Sequence, residues 1–197
     1  MKLYYARRSP YARKARIIIL EKKLKVECVE TDLTKKPVDL LSANPLGKVP
    51  TLVLDDGRVV YDSPVVCEFL DGMGASPRLI PADPAQRTAV KTTEALADGL
   101  MDTAIAAYME KIRHPKDFDA GYIRNLENAI QSGFAHLEEN PDKLDGLHLG
   151  PIAVAAAVGY IHFRLPALGP KEQFPKLSRW FEEFSRRPSM QATVPSV

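Results

Sequence analysis

Apolar positions along the chain change their spacing, and each change marks a new element. Lys2–Tyr5 is a short strand candidate. From Pro10 to Leu24 the residues Ala12, Ala15, Ile18 and Ile19 fall near one face at helical spacing. Lys25–Val29 alternates polar and apolar, which predicts a second strand. Two further strand candidates, Pro50–Leu54 and Arg58–Tyr61, flank Asp55-Asp56-Gly57. An Asp-Gly pair between apolar runs signals a hairpin, because glycine accepts positive φ without a Cβ clash. Ser63 and Pro64 then read as the N-cap and first residue of a helix through Asp71. Strand, helix, strand implies a parallel pair with a crossover, extended here by an antiparallel hairpin.

After residue 75 the strand signal ends. Ser76-Pro77 and Pro81-Ala82-Asp83-Pro84 form a proline-rich connector, which places a domain boundary between residues 1–77 and 84–197. Ala89–Lys111 is rich in Ala, Leu, Met and Glu. Ile123, Leu126, Ile130, Phe134 and Leu137 recur at steps of three and four, predicting an amphipathic helix. Ile152–Phe163 is apolar nearly all round, the mark of a buried central helix. Leu177, Trp180, Phe181 and Phe184 give a last amphipathic helix. The fold class expected is an α/β domain followed by an all-α helical bundle.

Composition narrows the function classes. The 197 residues are 45% hydrophobic and 26% charged, which suits a globular chain. A formal charge of +2 is far from the basic excess of a nucleic-acid binder. The longest nearly uncharged apolar stretch, Ile152–Ile161, is about half of a membrane span. The N-terminal MKLYYARRSPYARK has no apolar core of a signal peptide, so a cytoplasmic, reducing location is expected. Cys28 and Cys67 make neither a disulfide framework nor a metal cluster, and both read as inert buried thiols. His114, His136, His148 and His162 lack a metal-ligand spacing and read as surface or capping residues, so no metal is expected.

Three short segments carry candidate chemistry. Ser9-Pro10-Tyr11-Ala12 joins a strand to a helix N-terminus, where free N–H groups and the helix dipole stabilise an anion such as a thiolate. Arg7, Arg8, Arg13, Lys14 and Arg16 add positive charge nearby. Val49-Pro50-Thr51 opens a strand with a proline that cannot donate to the ladder, leaving the preceding backbone for an extended ligand; a cis bond suits such a turn. At Asp62-Ser63-Pro64, Ser63 and the helix N–H groups suit a carboxylate and Asp62 an ammonium, the two charges of an α-amino acid. Each segment also has a plainer reading: an N-cap beside a solvated basic face, an ordinary turn proline, and a second N-cap. Together they describe a receptor for a small thiol peptide.

These motifs, with Asn44-Pro45-Leu46-Gly47-Lys48-Val49-Pro50-Thr51-Leu52, give nearly the whole chain a resemblance to the cytosolic glutathione S-transferase family, in a bacterial-type form with serine at the catalytic position. The resemblance implies a thioredoxin-like N-terminal domain that binds glutathione, and an all-helical domain that supplies an electrophile pocket and dimer contacts. It implies a cis-proline at Pro50, backbone pairing of Val49 with the cysteinyl part of glutathione, and Ser63 with Asp62 on the γ-glutamyl end. It places Lys48 beside the peptide, Ser9 as hydrogen-bond donor to the sulfur, and Asp98 across a homodimer interface.

The activity implied is transfer of the glutathione thiolate to a small apolar electrophile, a detoxification chemistry. Ser9 and Ala12 stand where glutaredoxin-like relatives carry two cysteines, so dithiol exchange lacks both of its sulfurs. Two alternatives stay open: a glutathione-binding protein of this fold with little turnover, acting in ligand carriage or protein interaction, and a glutathione-dependent isomerase or dehalogenase. One departure from the family pattern stands out. His148 and Pro151 occupy the positions where a Ser/Thr-x-x-Asp capping box commonly opens the buried helix.

Overall fold

The computed structural model describes residues 1–35, 37–74 and 76–196. It divides into two compact units, residues 1–81 with 188 onward, and residues 82–187.

In the first unit the elements run β1 (Lys2–Tyr5), α1 (Pro10–Glu21), β2 (Glu27–Glu30), α2 (Val38–Ala43), β3 (Thr51–Val53), β4 (Val59–Val60) and α3 (Ser63–Gly72). They form a four-stranded sheet of order β2-β1-β3-β4. β1 and β2 are parallel, whereas β1 and β3, and β3 and β4, are antiparallel. Gly57, at φ +83, turns the β3–β4 hairpin. α1 and α3 pack against each other. Their buried residues include Ile17, Ile18, Val66, Cys67 and Leu70, which are fully inaccessible.

Several boundaries differ from the sequence expectation. α1 ends at Glu21 rather than Leu24, because Lys23 adopts φ +52 and reverses the chain. The Leu24 N–H donates to the Ile18-turn neighbour Ile19 O, and the Lys23 N–H to Leu20 O, the paired bonds of a Schellman closure. β2 starts at Glu27, two residues later than predicted. α2 has only six residues, too short to leave a periodic signal. Asp62, not Ser63, is the N-cap of α3: its carboxylate accepts the Ser63 N–H, so Ser63 becomes the first helical residue and Pro64 the second.

The connector is tied down by charge. Asp71 at the end of α3 accepts from the Leu79 and Ile80 N–H groups at 2.7 and 3.1 Å and pairs with Lys22 at 3.4 Å. The Lys22 ammonium also donates to Pro77 O. Lys22 and Asp71 are both buried, so these bonds compensate charges that burial alone would destabilise.

The first unit also takes the C-terminal segment, which the sequence assigned to the helical domain. The short helix α8 (Pro188–Gln191) packs on α1. Arg13 donates to Met190 O at 3.2 Å and to Thr193 Oγ1 at 3.4 Å, and Arg16 to Ala192 O at 3.3 Å. Arg13 is only 4% exposed, and burial, with Arg16 nearby, lowers its pKa to about 10.

The second unit contains α4 (Pro84–Arg113), α5 (Ala120–Glu139), α6 (Leu149–Arg164) and α7 (Pro175–Phe184). Asp83 and Asp119 cap α4 and α5 through the Gln86 and Tyr122 N–H groups. α4 starts five residues before the predicted Ala89 because this cap lies inside the proline connector. α6 is the core, with Leu149–Ile161 buried without a break between α4 and its other neighbours. His148 precedes it with no side-chain cap bond, and its Nδ1 is buried without a partner. No helix among the described residues is long and apolar enough to cross a membrane.

Candidate functional site

The sheet order brings three chain segments of the first unit to one end. β1 runs out at Tyr5 into the loop leading to α1. Antiparallel β3 begins at that same end, with Thr51 opposite Tyr4. β4, antiparallel to β3, ends there in turn and delivers the chain to α3. Ser9, Val49-Pro50 and Asp62-Ser63 therefore share one edge. Val49 lies in a buried cluster with Tyr4, Tyr5, Ala6, Ala12 and Leu40, at the foot of α1.

Ser9 is half-buried and caps α1, its Oγ accepting the Ala12 N–H at 3.2 Å. The hydroxyl proton remains available to donate elsewhere. The first turn of α1 carries no acidic residue, so nothing there neutralises the positive end of the helix. The five basic residues around Ser9 are only in part the solvated face that the sequence also allowed: Arg7 and Arg8 are exposed, Arg16 is half-buried, and the other two are not solvated. Arg13 and Lys14 are buried, Arg13 holds the C-terminal segment, Arg16 lies 4.3 Å over the Tyr5 ring, and Arg7 bonds Glu30 at 2.8 Å.

The Val49–Pro50 peptide is cis, as are Tyr61–Asp62 and Ser76–Pro77. Val49 and Pro50 are buried, and Lys48 is exposed. Among the described residues, the Val49 N–H and carbonyl make no hydrogen bond. Asn44 shapes this loop, a role the sequence reading missed. At 2% exposed, its Nδ2 donates to Lys48 O at 3.2 Å and Thr51 Oγ1 at 3.0 Å, and its Oδ1 accepts the Leu46 N–H at 3.0 Å. Thr51 Oγ1 in turn donates to Lys48 O at 2.7 Å, and Gly47 turns at φ +58. The signal was present: an Asn-Pro before a Gly in a turn, where the short amide side chain bonds nearby backbone.

Ser63 is 1% exposed at the start of α3, and Asp62 is exposed beside it. Asp98 lies half-buried on α4, which belongs to the other unit. Cys67 is buried in α3 as expected. Cys28 is not buried: β2 is the outer strand of the sheet, and Cys28 is exposed on it. Partial burial of the thiol still pushes its pKa up, against the opposing charge of Arg16, so it is a poor nucleophile at neutral pH. Among the described residues no three His, Cys, Asp or Glu side chains come together as a metal group.

Comparison with known proteins shows the family to which this fold belongs. Residues 3–77 match the family described as glutathione S-transferase, N-terminal domain. The chain is 33% identical to the uncharacterized GST-like protein YibF of Escherichia coli (strain K12), over 99% of this chain and 98% of that one. Mouse glutathione S-transferase omega-1 is 29% identical over 95% of this chain and 78% of its own. Among solved structures, a glutathione transferase family member from Pseudomonas fluorescens Pf-5 with bound glutathione superposes with a TM-score of 0.93, at 34% identity, covering 100% of this chain and 99% of that one. A second structure of a Pseudomonas fluorescens Pf-5 family member, with bound S-(propanoic acid)-glutathione, gives 0.91 at 35% identity, covering both chains fully. The chain belongs to the glutathione S-transferase family, with a thioredoxin-like first unit and a helical second unit.

Proposed function

We propose that this protein binds reduced glutathione in its first unit, stabilises the bound sulfur as a thiolate, and transfers it to a small electrophile. The observation that carries the reading is the buried Val49 backbone without a protein partner, set between two helix N-termini. A tripeptide laid along that edge pairs with the Val49 N–H and carbonyl as an added strand. Ser63 and the first turn of α3 receive the α-carboxylate of the γ-glutamyl end, and Asp62 receives its ammonium. Lys48 lies beside the same track. A Pseudomonas fluorescens Pf-5 relative of this fold was solved with glutathione and with S-(propanoic acid)-glutathione bound, which supports the ligand assigned.

The chemistry follows from Ser9. A free thiol has a pKa near 8.5, about 3% ionised at neutral pH. A hydroxyl proton donated to the sulfur and the positive end of α1 both favour the anion. A drop of about two units makes the thiolate dominant at neutral pH. The nucleophile is then the glutathione sulfur, and Ser9 stabilises it without bonding to the electrophile. The test is the ultraviolet absorption of bound glutathione thiolate as a function of pH, in wild type and Ser9→Ala. The reading expects an apparent pKa below neutral that rises by at least one unit in the variant. Equal titration curves would remove Ser9 from the catalytic role.

We propose further that the active unit is a homodimer in the cytoplasm, with Asp98 of α4 reaching toward the partner's glutathione. Sedimentation of wild type and the glutathione affinity of Asp98→Ala test the two parts.

A further inference from the structure

One charge in the helical unit has no counter-charge. Arg164 stands in the last turn of α6, and its guanidinium carbon lies 4.7 Å from the centre of the Tyr108 ring of α4 and 4.2 Å from that of Phe163. Its Nη1 donates to the Tyr108 hydroxyl at 3.1 Å. Its Nε is buried and has no acceptor. Among the described residues no carboxylate pairs with it, although Lys111, one turn along α4 from Tyr108, is matched to Glu127 at 3.1 Å. Arg164 is half-buried and Tyr108 likewise.

A guanidinium has five N–H donors in a rigid plane that matches a carboxylate in two-point fashion. Here two aromatic rings fix the orientation of that plane, which lowers the entropy lost when an anion docks. Tyr108 accepts from Arg164, so its own hydroxyl proton is left to donate. The two groups form a ready donor pair for an oxyanion, bordered by aromatic carbon. A plain capping arginine at a helix C-terminus needs neither the stacked rings nor a buried donor without an acceptor.

We propose that Arg164 and Tyr108 form a binding site for a small organic carboxylate with a planar, apolar body. Under the transfer reading, on which this last step rests, the occupant is the electrophile, anchored by an acid group while its apolar part lies on the rings. The anion site itself stands without that reading.

The test is calorimetric titration of the full chain, without glutathione, using trans-cinnamate and its neutral amide as probes. Wild type binds cinnamate at least tenfold more tightly than cinnamamide, and added salt weakens only the acid. Arg164→Met lowers cinnamate affinity at least tenfold and leaves cinnamamide unchanged. Arg164→Lys, which keeps the charge and loses the planar fork, does not restore it. Tyr108→Phe, which keeps the ring, costs cinnamate a few-fold. If Arg164→Met does not fold, the acid–amide comparison on wild type and Tyr108→Phe still decides. Equal affinities for acid and amide, or no binding of either, overturn the proposal. So does an Arg164→Met protein that melts earlier but keeps its cinnamate affinity, the result of a purely structural arginine. Because glutathione is absent, none of these outcomes depends on whether the first unit binds it.

Discussion

Replacing Asn44 by alanine removes three hydrogen bonds from the loop that presents Val49. Lys48 O keeps its 2.7 Å bond from Thr51 Oγ1, and Thr51 Oγ1 keeps that same donation, so both forfeit only an extra partner. The Leu46 N–H, by contrast, loses its acceptor at 3.0 Å. An ordinary bond contributes about 1 kcal/mol, and because Leu46 is exposed its N–H can turn to water, so that loss costs about the same as the others. Three bonds give roughly 3 kcal/mol, large against a total stability of about 5–15 kcal/mol. The loop residues shift together, so two backbone bonds to glutathione weaken as well, lowering affinity by roughly tenfold or more. Urea unfolding followed by far-ultraviolet dichroism reads the first effect, and titration with glutathione the second. Asn44→Asp keeps the acceptor for Leu46 but removes both donors and buries a carboxylate oxygen against Lys48 O, so it should be no more stable than the alanine variant. An Asn44→Ala protein within about 0.5 kcal/mol of wild type, with glutathione affinity unchanged, would refute the reasoning.

Other outcomes follow from single positions. Ser63→Ala should weaken glutathione binding at least tenfold in a titration while changing unfolding free energy by less than about 1 kcal/mol, since Asp62 still caps α3. Lys23→Gly should stabilise the chain by roughly 0.5–1 kcal/mol in urea, because φ +52 strains a side-chain-bearing residue and not glycine. His148→Ser should supply the missing cap of α6 and add about 1 kcal/mol. The same variant should alter pH dependence. Burial lowers the His148 pKa, against the opposing pull of Asp145, so the folded chain binds fewer protons there than the unfolded one. Stability is then complete above the ordinary histidine value of about 6.5 and declines as pH falls below it, a decline that His148→Ser removes.

The strands, the hairpin at Gly57 and the buried helix α6 were legible because each depends on neighbours in sequence: alternation, a turn dipeptide, an unbroken apolar run. The site edge was legible for a related reason, since Ser9, Pro50 and Ser63 each sit at an element boundary with a recognisable residue type. What was not legible depends on distant partners. Arg13 and Lys14 look like a solvated basic face, yet Arg13 is buried by a segment about 180 residues further along. The assignment of residues 188 onward to the first unit follows from those same bonds. Cys28 alternates like a half-buried residue, and its exposure follows from β2 being the outer strand, which only the sheet order decides. Asn44 and Asp62 are polar residues whose roles hang on which N–H they face, a matter of about one residue of register.

The most direct measurement is calorimetric titration of the purified chain with reduced glutathione at neutral pH. The account predicts saturable binding at micromolar to millimolar concentration with one glutathione per chain. Absence of any binding through that range would contradict it, and would mean that the edge formed by Ser9, Val49 and Ser63 serves a different ligand.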